Sequence, residues 1–512
     1  MADKKRSIFQ RILDVIERVG NKLPDPFALF VILSFVVMVI SWIFANRGST
    51  VTHPSSGEEL PVKNLLSGEG LQFILENTLT NFTGFAPLGL VLSMMLGIGL
   101  AEKVGLLDYA IRKTILKSPP FLLTYTVVFV GIMGNIASDA AVIIIPPLGA
   151  LVFYKVGRHP LAGLAAGFAG AGAGFTANLL IAGTDVLLAG LTTEAAKLVD
   201  PSLIVSPLDN WYFNIASVFM LTIIGGLVTT RFIEPRLGKY EGGEIDDEIE
   251  AQEDHPRAKL GVILVLALTI VYWGGLFAWM LLDKNSPLTG ENGSIMSSPF
   301  LSGIVPIILL YFILIGLTYG ITVGTIRSSK DVTAKMTEAI QEMAGYIVLV
   351  FAIAQFTAYF NWSNLGTWIA VNGAEFLKDI NFTGIPLIIG YVIFTALLNF
   401  LITSGSAKWA IEAPIFVPMF MQLGYDPAFT QAAYRIADSS INIVTPLFPS
   451  MIIILAFMKR YDKNTSIGSY MALMLPYSLT FLLAWIVLLL VFFFFNIPFG
   501  PGVYSLLENS TR

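Results

Sequence analysis

The sequence contains no cysteine, which excludes disulfides, thiolate nucleophiles and cysteine-ligated zinc. Histidine is nearly as scarce. His53, His159 and His255 are the only three, and all lie in polar connecting segments, so a histidine proton relay at membrane depth is not expected. Charge is thin: Asp, Glu, Lys and Arg make up 13% of 512 residues, where a soluble protein carries about 25%. Several soluble domains of this total length would lack the charge to stay dissolved. The net charge of −5 comes without a long basic run, so a nucleic-acid partner has no electrostatic footprint. No G-x-x-x-x-G-K-[ST] stretch is present, which disfavours an ATP-driven pump. No H-E-x-x-H and no Ser–His pairing supports an intramembrane enzyme. Residues 1–22 are charged and amphipathic, so no signal peptide is expected there.

What the chain has instead is apolar surface: 55% hydrophobic residues and a mean hydropathy of +0.73. Runs near the roughly 20 residues that cross hydrocarbon occur at 27–46, 86–101, 212–231, 260–283, 299–322, 341–360 and 468–495. Two more, 160–190 and 428–457, are long enough but broken by small and polar residues. The stretches 120–156 and 384–422 each hold two half-length apolar segments around a polar tip, which suits a re-entrant hairpin. The expected fold is therefore an all-α polytopic membrane protein with nine transmembrane helices plus two re-entrant hairpins.

Lysine and arginine orient that arrangement, because cytoplasmic loops are enriched in them. With the N-terminus inside, 23 of the 31 fall on the inner side and 6 on the outer side. The two left at membrane depth are Lys408 and Arg435. Residues 234–258 hold nine acids and three bases, and read as a solvated linker. The expected division is an amphipathic N-terminus (1–26), a first repeat (27–231), an acidic inner loop (232–259), a joining helix (260–283), a second repeat (299–495) and a C-terminal tail (496–512).

The halves resemble each other. Pro147, Gly157 and Pro160 recur 267 residues later as Pro414, Gly424 and Pro427, and Asn135 pairs with Asn399 at an offset of 264. The charge count puts one hairpin base inside and the other outside. An inverted-topology repeat with broken helices is the architecture of secondary transporters, with the site near the midplane.

Charge at membrane depth costs about 2.5–3.5 kcal/mol on insertion scales, so each such residue is a functional candidate. The segment from Arg435 to Pro446 is the richest. Arg435 and Asp438 are three apart, a spacing at which they can pair on one helix face. Asp438, Asn442 and Thr445 supply oxygens where Pro446 disrupts the backbone ladder, a hard-oxygen setting for a small cation. The second tip adds Asn399, Thr403, Ser404, Gly405, Ser406, Lys408 and Trp409. Its exposed N–H groups favour an anion, Lys408 strengthens that preference or snorkels, and Trp409 offers a ring face or core packing. Glu412 stands at the i,i+4 position to Lys408. The first half contributes Asn135, Ser138 and Asp139 at its tip, the glycine-rich 170–178 with Asn178, and Asp185 in the outer half of the broken span.

The segments SGSAKW (404–409), GYDPAFTQAAYRIADS (424–439) and INIVTPLFP (441–449) resemble the AbgT family of p-aminobenzoyl-glutamate transporters. The resemblance covers essentially the whole chain. It implies a homodimer in the bacterial inner membrane and ion-driven transport of p-aminobenzoyl-glutamate or related aromatic anions, with export of sulfonamide antimetabolites also attributed to the family. It places a cation site, for Na⁺ or H⁺, at Asn399 and Asp438. It puts Asp185, Ser404, Trp409, Pro427, Arg435 and Pro446 along the substrate path, to which the residue reading adds Lys408, Asn135 and Asn178. No cofactor beyond the coupling ion is called for. The alternatives are an importer of p-aminobenzoyl-glutamate alone and, in another class, an anion channel.

Overall fold

The computed structural model describes residues 24–53, 57–137, 140–242, 255–283, 286–290, 293–295 and 298–507. Ser138, Asp139, most of the acidic loop, most of the N-terminal segment and the end of the tail lie outside the described residues. The chain is predominantly helical, and besides single-turn and irregular pieces its helices run as follows. The first half contains α1 (Pro26–Asn46), α2 (Gly68–Thr83), α3 (Ala86–Lys103), α4 (Leu106–Leu116), α5 (Leu123–Met133), α6 (Ala140–Lys155), α7 (Pro160–Phe168), α8 (Gly183–Ala196) and α9 (Trp211–Val228). A joining helix, α10 (Ala258–Leu282), follows. The second half contains α11 (Ile304–Val323), α12 (Ser329–Glu342), α13 (Ala344–Trp362), α14 (Leu365–Asp379), α15 (Ile385–Leu398), α16 (Gly405–Gln422), α17 (Pro427–Asn442), α18 (Ser450–Tyr461) and α19 (Ile467–Phe494). Against the all-α expectation, Thr50–Thr52 and Glu59–Pro61 form a small antiparallel strand pair.

Among the described residues seven helical stretches are long and apolar enough to cross a membrane, with 68–103 and 211–237 each counted as one. They coincide with the seven uninterrupted runs of the sequence. Some start on conventional caps: Asp25 accepts the Phe27 N–H before Pro26-led α1, and Ser466 accepts the Ser469 N–H before α19. α1 buries only Phe30, Ser34, Val37 and Ser41, one stripe at helical spacing. The other faces of α1, and almost all of α10, turn large apolar side chains outward. In water such a surface would aggregate; in lipid it is the expected exterior.

The two interrupted runs are indeed broken. α7 passes through a π-helical turn (Ala169–Ala173) into irregular chain before α8, and α17 gives way to non-helical backbone before α18. The two tip-bearing stretches are helix–tip–helix units, α5–α6 and α15–α16, with the described part of the first tip at Gly134–Ala137 and the second tip at 399–404. Their second arms contain prolines, Pro146 and Pro147 in α6 and Pro414 and Pro418 in α16. Each proline removes one ladder bond, which buried or cavity-lining backbone can tolerate.

Helices α4, α12 and α14 were not evident as spans because they are amphipathic and short. α12 carries a capping box in which Asp331 accepts the Ser328 N–H.

Candidate functional site at the meeting of two hairpin tips

The two halves build the same local device. In the first, Asn135 Nδ2 donates to the carbonyl oxygens of Phe175 (2.6 Å) and Ala177 (3.2 Å) and to Asn178 Oδ1. In the second, Asn399 Nδ2 donates to the Asp438 carbonyl oxygen (2.9 Å) and to Asn442 Oδ1 (3.0 Å). The asparagines of each pair are 43 residues apart in both halves. Each tip is thereby fastened to the irregular or terminal turn of its broken span. An amide suits this task because it donates to freed carbonyls and still offers an oxygen.

Charges at depth do not pair as their spacing suggested. Arg435 and Asp438 share α17 but do not bond to each other. Arg435 Nη1 reaches across to Asp185 Oδ1 at 2.6 Å, and also donates to the Thr176 carbonyl oxygen at 3.2 Å. Asp438 Oδ1 instead faces Lys408 Nζ at 2.8 Å. The reason is geometric: the tips bring oppositely charged side chains of other elements closer than one helical turn does. Glu412 likewise is not the bonded partner of Lys408. Its Oε2 accepts from the Tyr391 hydroxyl (3.0 Å) and from Thr395 (2.7 Å).

Asp185 is the most heavily engaged carboxylate. Beyond Arg435 it accepts the Ala182 N–H (2.7 Å), Asn178 Nδ2 (3.0 Å) and Asn214 Nδ2 (3.3 Å). It therefore closes the start of α8 and receives a cation together. Lys408 Nζ donates to Asn399 Oδ1 at 2.6 Å. Gly405 is needed at the second tip, because a Cβ there would stand 2.8 Å from Asp438 Oδ2. Ser404 caps α16 by accepting the Ala407 N–H.

A cavity of about 480 Å³ opens between the tips, a size common for small-molecule sites. It gathers Asn135 from the first tip, Ser404 and Ser406 from the second, and Asp438 and Asn442 from α17. Phe175, Tyr346 and Phe448 supply aromatic surface. Asn178, Asp185 and Arg435 are fully buried nearby but do not line it. Trp409 does not line it either: its ring packs on Tyr434 at 4.5 Å, and its N–H donates to Thr192 (3.1 Å) and to the Leu188 carbonyl oxygen (3.3 Å). Pro427 is the first residue of α17, eleven residues and about 16 Å along the helix from Asp438. Pro446 sits in the break that follows α17.

Several participants were missed in the sequence. Asn214 on α9 braces Asp185, while Thr176, within the glycine-rich 170–178 already singled out, joins the halves through Ser439 at 2.6 Å. Thr192, Gln431 and Asn210 form a buried chain linking α8 to α17. A lone amide inside an apolar span was the available signal for Asn214 and Gln431. Tyr346 and Phe448 look like any other apolar-span or loop aromatic in sequence, and only packing brings them to the cavity.

A second cavity, about 680 Å³, lies on the other side of α6 and is lined by Asp108, Arg112, Pro147, His255 and Arg460 among others. Val142 faces the first cavity, and Ile143, Ile144 and Pro147 face the second.

Comparison with known proteins fits this geometry. The AbgT putative transporter family matches residues 11–507. The p-aminobenzoyl-glutamate transport protein of Escherichia coli (strain K12) is 46% identical over 494 residues, 96% of each chain. The solved MtrF of Neisseria gonorrhoeae, described as illuminating a class of antimetabolite efflux pumps, aligns with a TM-score of 0.90 at 42% identity, covering 96% of this chain and all of that one. The YdaH transporter of Alcanivorax borkumensis, described as having an unusual topology, aligns with a TM-score of 0.87 at 40% identity, over 93% of this chain and all of that one. Relatives matched along nearly their whole lengths are transporters and not enzymes, and the chain belongs to the AbgT family of membrane transporters.

Proposed function

We propose that this protein is a cation-coupled secondary transporter of small aromatic anions, p-aminobenzoyl-glutamate and sulfonamide antimetabolites among them. The observation that carries the reading is the cavity in which both tips meet, since it joins polar backbone ends, one carboxylate and aromatic walls. Asp438 and Asn399 hold the coupling ion, Na⁺ or H⁺, and Ser404 with the N-terminus of α16 meets the anion. Arg435 supports anion binding. Its Nε and Nη2 are buried without a partner among the described residues, an unsatisfied guanidinium edge that a carboxylate would complete. Asp185 and Asn178 orient Arg435 from behind, while Trp409, Pro427 and Pro446 shape the elements that move. α6, lying between the two cavities, is the wall whose displacement would connect them.

The wider arrangement follows from the same reading. The protein spans the bacterial inner membrane nine times with two re-entrant hairpins and a cytoplasmic N-terminus. Its repeats, 27–231 and 299–495, are inverted about the joining helix, and it works as a homodimer. The equal spacing of the Asn135–Asn178 and Asn399–Asn442 pairs supports the repeat, and the lysine and arginine asymmetry supports the orientation.

The test is counterflow and uptake in proteoliposomes under separate Na⁺ and pH gradients, comparing p-aminobenzoyl-glutamate with a sulfonamide. Asp438→Asn should abolish ion-driven flux while the protein stays monodisperse in detergent; unchanged ion-driven uptake would sink the cation assignment. Arg435→Ala should weaken anion binding about tenfold or more, a loss of at least about 1.4 kcal/mol, with a smaller effect on ion binding. Equal losses of both would remove Arg435 from the anion role.

A further inference from the structure

Resting on that placement of the cation site, we infer that Lys408 is a tethered competitor for the coupling cation, and that Glu412 is the berth it moves to when the cation binds. The Lys408 ammonium lies 2.6 Å from Asn399 Oδ1 and 2.8 Å from Asp438 Oδ1. Those are oxygens of the two residues assigned to the ion. A small cation and the ammonium would therefore occupy the same place and exclude each other.

Three features make the ammonium displaceable rather than a fixed strut. First, Asp438 Oδ1 has no directed hydrogen bond despite its short contact with Lys408, so that contact is held by charge and lacks angular fit. Second, Lys408 sits on a four-carbon stem near the N-terminus of α16, and rotation about that stem moves the ammonium by several ångströms. Third, a destination exists one turn along the same helix. Glu412 Oε1 is buried with no partner among the described residues, although Oε2 is held by Tyr391 and Thr395. The i,i+4 spacing puts Glu412 within reach of Lys408. A half-satisfied buried carboxylate is costly, and an arriving ammonium would complete it.

The exchange keeps Asp438 paired in both states. With no cation bound, Lys408 neutralises Asp438; with a cation bound, Lys408 neutralises Glu412. Without the cation Glu412 rests on the Tyr391 and Thr395 hydroxyls alone; cation binding gives both carboxylates a counter-charge, and Asp438 is never left without one. The tether also weakens cation binding, because the apparent dissociation constant rises by the inverse of the fraction of molecules whose site is free.

The experiment measures Na⁺ binding to the purified full-length protein in detergent, by calorimetry and by the Na⁺-induced shift in melting temperature, with choline replacing Na⁺ at constant ionic strength. Lys408→Gln should bind Na⁺ about tenfold more tightly if the tether holds the site in roughly nine molecules of ten, and its melting temperature should depend on Na⁺ more steeply than that of the wild type. Glu412→Gln, which removes the berth, should bind about tenfold more weakly. Equal or weaker binding by Lys408→Gln overturns the inference, as does unchanged binding by Glu412→Gln, a variant that carries the test alone if Lys408→Gln does not fold. Na⁺ binding that survives both Asp438→Asn and Asn399→Ala would instead overturn the cation site itself. Na⁺ binding by neither the wild type nor Lys408→Gln overturns the competitor role and leaves proton coupling standing.

Discussion

The two hairpin tips do the same mechanical work with different chemistry. Asn135 and Asn399 each clamp a broken span, yet only the second clamp is surrounded by charge. At the repeat offset of 264, Lys408 corresponds to Ile144 and Asp438 to Gly174. The second tip holds an ion pair; the first rests on glycine. Gly149 and Gly163 face each other so closely that a Cβ on Gly149 would lie 2.4 Å from the Gly163 carbonyl oxygen. At the offset of 267 that relates Pro147 and Pro160 to Pro414 and Pro427, the second half has Phe416 and Thr430. One half is fastened backbone to backbone, and the other keeps room for side chains that exchange partners. The two similar clamps thus divide scaffold from chemistry.

The largest expected effect separates the two clamps. Asn399→Ala should remove ion dependence of transport, measured as the ratio of uptake with and without the gradient, because it deletes an oxygen facing the Lys408 position. Asn135→Ala should lower the rate and the melting temperature while leaving that ratio intact. Loss of coupling in both variants would show that the first tip also carries the ion.

A smaller effect probes the packing difference. Gly149→Ala should destabilise the protein by about 1–3 kcal/mol through overpacking, read as a lower melting temperature in detergent. Ala413→Gly, in the proline-bearing arm of the second hairpin, should cost about 1 kcal/mol or less, the ordinary cost of glycine in a helix. Similar losses at both positions would erase the distinction between a tight half and a roomy one.

The smallest effect concerns the caps that start the two broken spans. His159 Nδ1 accepts the Leu161 N–H before Pro160-led α7, and Asp426 Oδ1 accepts the Ala428 N–H before Pro427-led α17. Burial lowers the His159 pKa, while nearby Asp462 and Glu234 oppose the shift; burial raises that of Asp426 to about 7, opposed by its backbone hydrogen bond. Both caps are therefore held toward the neutral form, with opposite consequences. For His159 the folded pKa lies below the unfolded one, so stability falls as pH drops below about 6.5. For Asp426 it lies above, so stability falls as pH rises from about 4 toward 7. Asp426→Asn should remove the fall in melting temperature between about pH 4 and 7, and His159→Asn the fall below about pH 6.5. A profile unchanged by either variant would remove these caps from the pH response.

Much of the fold was legible because the bilayer demands it. The seven uninterrupted runs needed only length and hydropathy, and the two breaks announced themselves through glycines, prolines and polar residues within apolar sequence. Short amphipathic helices such as α12 and the strand pair at 50–61 escaped, since neither has the length of a span. At the site, residue types were easier to find than their partners. Lys408, Arg435, Asp438 and Asp185 stood out as charges without water. Their pairing did not, because i,i+3 and i,i+4 spacing is the only adjacency a sequence displays, and here tertiary approach replaced it.

By itself, then, the sequence determined the solvent of this protein, the places where its helices fail and the few charges that need a reason to be buried. These are local consequences of composition and spacing. Only the tertiary structure decided that Arg435 answers Asp185 from the other half, that Lys408 stands on Asn399 and Asp438, and that Trp409 packs on Tyr434 outside the cavity. The physical reason is distance. Coulomb attraction and hydrogen bonding act over a few ångströms, and residues 250 positions apart reach that range only after both hairpins have folded back toward one another.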